Sequence, residues 1–297
     1  MRMIRPITIT PAMITACNVP ETDRTAWSSG TAYTIGMTCM YNHKLYTCLV
    51  NHTNAQPDLN VAPVVSPKWF DDGYDNRWRM LDAVVGSQTA QATSITISLV
   101  PGGTNNYDSL AILNCEGATI KVSIPSTGFS DTFTMSSSSH INNAYSYFFD
   151  PIILTDTLCI VGMTPTTGQI DITINNPAGT AKAGTVVMGM QMGMGDTQYN
   201  PTIGIIDYSK KDVDIYGNTT VLQRAYAKRM SCEMSLPNTD IDNLQRTLAM
   251  YRATPLVWVG ADVGYSCMIV FGFYKSFSIN IAYPTYSICN IEIEGLS

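Results

Sequence analysis

The residue types most able to do chemistry cluster between positions 21 and 82. Trp27, Tyr33, Tyr41, Tyr46 and Trp69 put five large aromatic rings into a stretch of 45 residues. Exposed rings of this kind hold the apolar C–H faces of sugars, while polar neighbours read the hydroxyls. Cys39, His43, Cys48 and His52 carry metal-ligating atoms in the same stretch. Their spacing is not that of a zinc finger, and a turn at Asn42-His43 holds His43 away from both thiols. Asp71, Asp72 and Asp75 form an acidic run. It lacks the alternate-position carboxylates and distal Glu of a calcium loop and reads as a solvated turn. No metal and no cofactor is expected.

Catalytic chemistry finds little support. The chain has three histidines, His43, His52 and His140, and His140 follows a serine run. No nucleophile elbow, phosphate loop or dinucleotide fingerprint occurs. Asp207, Asp212 and Asp214 read as strand-end and turn residues rather than an acid–base pair. The expectation is a chain that is not an enzyme, with a polysaccharide-degrading activity the least favoured reading.

The elements that must position these residues read as short strands. Residues 37–41 and 44–50 form a hairpin around Asn42-His43, placing Cys39 opposite Tyr46 and Met37 opposite Cys48. Trp27 and Trp69 bracket it and can staple a small core. Strands are predicted at 94–100, 110–113, 119–124, 131–135, 157–161, 169–174 and 184–188, separated by Gly, Pro, Asn and Ser clusters. That pattern is a β-sandwich of jelly-roll type. The Met-Gly stretch 188–195 reads as a flexible hinge or packing seam. A helix is predicted over 239–252, capped by Thr239, with Ile241, Leu244, Leu248 and Tyr251 on one stripe. Strands follow at 256–259, 266–271, 277–281 and 287–293. The fold class is therefore mainly β. The organisation is an N-terminal arm (1–22), a small β module with linker (23–82), a β-sandwich (83–196), and a C-terminal antiparallel sheet or split barrel with one helix (197–297).

Composition narrows the partners. Of 297 residues, 13% are charged and 45% are hydrophobic, with a net charge of −6. Globular chains usually carry about 25% charged residues, so much of this surface suits burial in an assembly. No basic run supplies the footprint of a nucleic-acid binder. No apolar span is long enough for a membrane helix, and the N-terminal sequence shows no export signal. The eight cysteines include no C-x-x-C pair and sit mostly in apolar runs, so they read as free, buried thiols.

Residues 26–70 resemble the small chitin-binding-type modules of carbohydrate-binding families 5 and 12. They share a Trp, Tyr33-x-x-Gly36, Tyr41 followed by Tyr46-x-Cys48, and a closing Trp69. The resemblance implies sugar stacking on Trp27, Tyr33, Tyr41 and Trp69, with Tyr33 and Tyr41 the more exposed. Chitin-binding members carry aromatics where this chain has Asn51 and His52. The linker Asn76-Arg77-Trp78, with Leu81-Asp82, is similar to a segment of tail-associated phage proteins, and implies an interdomain clasp in which Arg77 or Arg79 stacks on Trp78. Segments around Asp207, Gly217, Arg252 and Gly295 look similar to C-terminal parts of phage tail proteins. Together these imply a structural protein of a tailed-phage virion, made in the host cytoplasm and placed in the tail or tail tip. The implied partners are other tail proteins, further copies of the chain and a bacterial surface glycan. The competing reading is a dedicated glycan-binding adsorption protein.

Overall fold

The computed structural model describes residues 1–137, 143–149, 153–213, 216–261 and 265–296. His140, part of the serine run and Asp214 lie outside them. The chain is mainly β, as its alternating patterns predict. A ten-stranded antiparallel sheet, curled into a half-barrel, forms the backbone of the molecule. Its order is Leu158–Ile160, Ser109–Leu113, Thr185–Gly193, Arg2–Pro6, Leu256–Val259, Ile269–Asn280, Tyr286–Gly295 and Tyr226–Pro237. Asp196–Thr197 and Thr202–Asp207 both lie along the outer side of the last of these.

A second sheet of five strands, Phe129–Thr134, Thr119–Ile124, Ile170–Ala183, Thr89–Leu99 and Ile14–Cys17, packs on one end of the large sheet. Period-2 patterning turns Ile95, Ile97, Ile120, Val122, Ile172 and Ile174 inward against Leu110, Ile112, Val186 and Met188. This is the predicted sandwich, but half of it is built from the sheet that also forms the C-terminal region. Residues 1–22 are no free arm. Arg2–Pro6 pairs with strands on both sides, Thr185–Gly193 and Leu256–Val259.

The other end of the large sheet closes over a second core, where Met3, Met230, Met234, Trp258, Cys289 and Ile291 are buried. The helix Ile241–Met250 covers it with Leu244 and Leu248, and Ile241 and Tyr251 complete the predicted stripe. Thr239 makes no cap. A 3-10 turn, Asn238–Asp240, precedes the helix, and Asn238 ties it down by donating to the carbonyls of Tyr283 and Pro284, both at 2.9 Å. Among the described residues no helix is long and apolar enough to cross a membrane.

The Met-Gly stretch is the packing seam of the two expected readings, and not a hinge. Met188 to Gly193 continues the strand Thr185–Gly193, with Met188 buried in the sandwich core and Met192 and Met194 against the second core. The glycines alternate to the opposite face, and backbone passes close to two of them, Gly189 and Gly195. A Cβ at Gly189 would collide with the carbonyl of Arg5 on the paired strand. Gly195 turns the corner at φ +122, where a Cβ would meet the Ser235 carbonyl oxygen at 2.5 Å.

Candidate functional site

The small module follows from one turn. Asn42 and His43 both take positive φ, 48° and 66°, the pair of angles a two-residue hairpin turn requires. Thr38–Tyr41 and Lys44–Cys48 therefore pair with Cys39 opposite Tyr46, and the Cys48 amide donates to the Met37 carbonyl at 2.8 Å. A third strand, Trp69–Tyr74, joins them. The acidic run lies in this strand and not in a solvated turn. Gly73, at φ +92, bulges it, so that Asp71 accepts from Lys44 at 2.7 Å and Asp72 from Arg24 at 2.5 Å. Asp75 is fully buried. Its carboxylate accepts the amides of Asp23 and Arg77, each at 3.2 Å.

Trp69 is the centre of the module. It is completely buried and donates its indole N–H to the Ala55 carbonyl at 2.8 Å. Tyr33 and His52 pack edge-on against it, with ring centroids at 4.9 and 4.8 Å. Burial, with Lys68 nearby, holds the His52 imidazole below its ordinary pKa. Burial also pushes the Cys39 thiol up to about 12. Tyr33 is 5% exposed, and its hydroxyl accepts the Ser28 amide. A ring enclosed in this way has no face for a sugar, so Tyr33 and Trp69 serve as core. Trp27 and Tyr41 keep part of their surface, but they meet at 82°, edge to face, rather than as a flat platform. Phe70, on the outer face of the third strand, is the more exposed ring, and nothing in the spacing singles it out.

The linker is a clasp, held differently from the expectation. The ring over Trp78 is His43, at 4.2 Å between centroids, not an arginine. His43 Nδ1 pairs with the Glu21 carboxylate. Arg77 instead donates to the Val19 carbonyl at 2.7 Å, and Arg79 to that of Tyr74 at 3.1 Å. The Asn76 side chain bonds the backbone of Ala90 twice, donating at 2.8 Å and accepting at 2.9 Å, as another strand would. The module is thereby bolted to the sandwich.

All eight thiols are unbridged, five of them buried. Cys267 departs from the buried reading and is exposed on the 3-10 turn Ser266–Met268.

A second group of apolar side chains, exposed to solvent, lies elsewhere. Residues 199–226 add the strand Thr202–Asp207 to the edge of the large sheet and then form a separate hairpin, Lys210–Val213 with Thr219–Leu222. Not one of its described residues is buried. Tyr199, Ile205 and Val221 are 100%, 65% and 67% exposed. These are the residue types that fill the cores of this chain, here turned to solvent. Monomeric proteins rarely expose a contiguous apolar patch beyond about 300–600 Å², and an isolated two-stranded hairpin is marginal in water. This arm carries its apolar side chains in solvent all the same. Sequence periodicity marks its strands but not their exposure, since an apolar β run looks the same whichever chain covers it.

No protein-family model matches the chain, and no curated protein matches it in sequence.

Proposed function

We propose that this chain is a non-catalytic structural subunit of a larger assembly, the tail or tail tip of a tailed-phage virion. The observation that carries the assembly reading is the apolar arm at residues 199–226, in which no described residue is buried. The virion reading rests on the resemblance of residues 76–82 and of the C-terminal segments to tail-associated proteins. The clasp role of Asn76, Arg77 and Trp78 in this fold agrees with it. The titratable groups near the module are spent on structure. Lys44 and Arg24 hold Asp71 and Asp72, and Asp75 is buried among amides. In this reading the module is an outward element fixed rigidly to the sandwich. Any adhesion to a host glycan falls to Trp27, Tyr41 and their neighbours, because Tyr33 and Trp69 are enclosed. The test is particle composition. Purified virions from an infected culture should contain the chain at a fixed multiple-copy ratio by mass spectrometry, with density for it in the tail. A chain found only in the soluble lysate, with no copy in washed particles, contradicts the reading.

A further inference from the structure

The proposal above says that the arm is covered; the geometry also points to what covers it. We infer that a second copy of this chain adds its own strand Thr202–Asp207, antiparallel, to the same strand of the first, around a twofold axis at Gly204. This rests on the reading of the chain as a self-assembling subunit and names the contact.

Three observations carry it. First, the edge is open. Thr202–Asp207 pairs on one side with Tyr226–Pro237, and among the described residues no strand pairs with its other side. An edge of this kind is a template for another strand, and proteins that avoid such pairing guard it with Lys, Pro or a bulge inside the strand. Thr-Ile-Gly-Ile-Ile-Asp has none of these.

Second, the strand is complementary to itself. In an antiparallel pair centred on Gly204, Ile203 of each copy stands opposite Ile205 of the other on one face, and Thr202 opposite Ile206 on the other face. Asp207 meets Pro201, so no like charges face each other and the missing proline N–H falls at the end of the ladder. The same patch on both copies is the defining feature of a twofold interface. Ile203 and Ile205 are 40% and 65% exposed, as such a seam requires before association.

Third, area and charge suit a second copy. The exposed tyrosines and aliphatics of the arm present on the order of 1,000 Å² of apolar surface, against about 800 Å² per partner in a stable interface. Residues 199–226 carry three cations, Lys210, Lys211 and Arg224, and three anions, Asp207, Asp212 and Asp214, so the arm is neutral. The net charge of −6 lies on the rest of the chain, and self-association through the arm keeps the repelling surfaces apart.

The experiment uses the full chain in a Cys267→Ser background, which removes the exposed thiol beside the arm. Sedimentation should show a dimer or an even-numbered oligomer at about 10 μM, within the range of ordinary subunit affinities. Gly204→Cys should cross-link two copies under mild oxidation. A Cβ there meets nothing within 4 Å in its own chain, so the substitution fits the fold. Tyr208→Cys should not cross-link, because two residues four places from the axis stand roughly 26 Å apart along the strands, beyond the ~7 Å that a disulfide spans. Ile205→Lys should raise the association midpoint at least tenfold with an unchanged circular dichroism spectrum. Should that variant lose its fold, Ile203→Thr makes the same test more gently. A chain that stays monomeric at about 100 μM, a dimer that Gly204→Cys does not trap, or equal trapping at position 208 overturns the inference. Particle composition remains a separate result. A chain absent from virions but cross-linked at 204 removes the virion reading and keeps the pairing. A chain present in virions with position 204 beside a different protein does the reverse.

Discussion

The small module and the arm are built from the same residue types and use them in opposite ways. The module turns Tyr33, Tyr46 and Trp69 inward and ties its few charges to one another. The arm turns Tyr199, Ile205, Val221 and Leu222 outward and encloses none of its described residues. A module of some fifty residues can bury little else, so its aromatics are needed for its own stability. The arm borrows its stability from the sheet edge and from whatever covers it. The difference teaches that the aromatic motif, the most conspicuous feature of the sequence, marks a small core, while the exposed apolar surface sits in a segment with no aromatic frame. A substitution in the module should therefore act on folding. One in the arm should act on association.

The largest effect is expected at Trp69. Trp69→Ala removes the centre of the module and leaves the Ala55 carbonyl without its donor. It should destabilise the module by about 3–5 kcal/mol. Hydrogen exchange should show the strands Thr38–Tyr41 and Lys44–Cys48 opening while Ile170–Ala183 keeps its protection. Loss of protection throughout the chain contradicts the module's independence. Asp75→Ala comes next. It removes the acceptor of two part-buried amides, of Asp23 and Arg77, and should cost about 1 kcal/mol in a denaturant melt. A change of a few tenths contradicts the role given to that carboxylate.

Acid should sharpen the contrast. The His52 pKa is lowered by burial in the folded module, so the unfolded chain takes up the proton more readily. The contribution of His52 is then fully present above its ordinary value of 6.5 and is lost as the pH falls below it. Tryptophan emission should report loosening of the module as the pH falls below the ordinary histidine value, and His52→Gln should flatten that dependence. The arm has no histidine and should show no such step. The smallest effect on stability is expected in the arm itself. Val221→Ser, at an exposed position, should change the stability of the isolated chain by no more than ~0.5 kcal/mol and yet weaken its association. A loss of several kcal/mol would mean that the arm belongs to the core of a single copy.

Much of this was legible in the residues. The hairpin turn was legible because Asn42-His43 sits between two alternating runs and asparagine tolerates positive φ. Thr119–Ile124 has the predicted boundaries, and the stripe from Ile241 to Tyr251 faces the core. The stretch 188–195 is a packing seam, one of its two readings, and not the hinge that its glycines suggest. Its strict alternation, with methionine on one face and glycine or glutamine on the other, is itself a strand signal, and the glycines answer to the backbone of Arg5 and Ser235. The site was harder to read. Family frames carry over which aromatics occur but not which way they point, and the orientation of Tyr33 depends on a hydrogen bond to Ser28. The strands of the arm were not singled out within the C-terminal region, nor was its exposure, because its apolar patterning does not say which molecule buries it.

Hydrogen exchange measured across a concentration series tests the central claim most directly. The amides of Thr202–Asp207 that face away from Tyr226–Pro237 should exchange fast in the dilute chain and become protected as the concentration rises through the association midpoint. Those of Lys44–Cys48, in the module, should hold one level of protection throughout. Protection at 202–207 that never changes, or a gain confined to the module, would contradict the division between an arm that associates and a module that only folds.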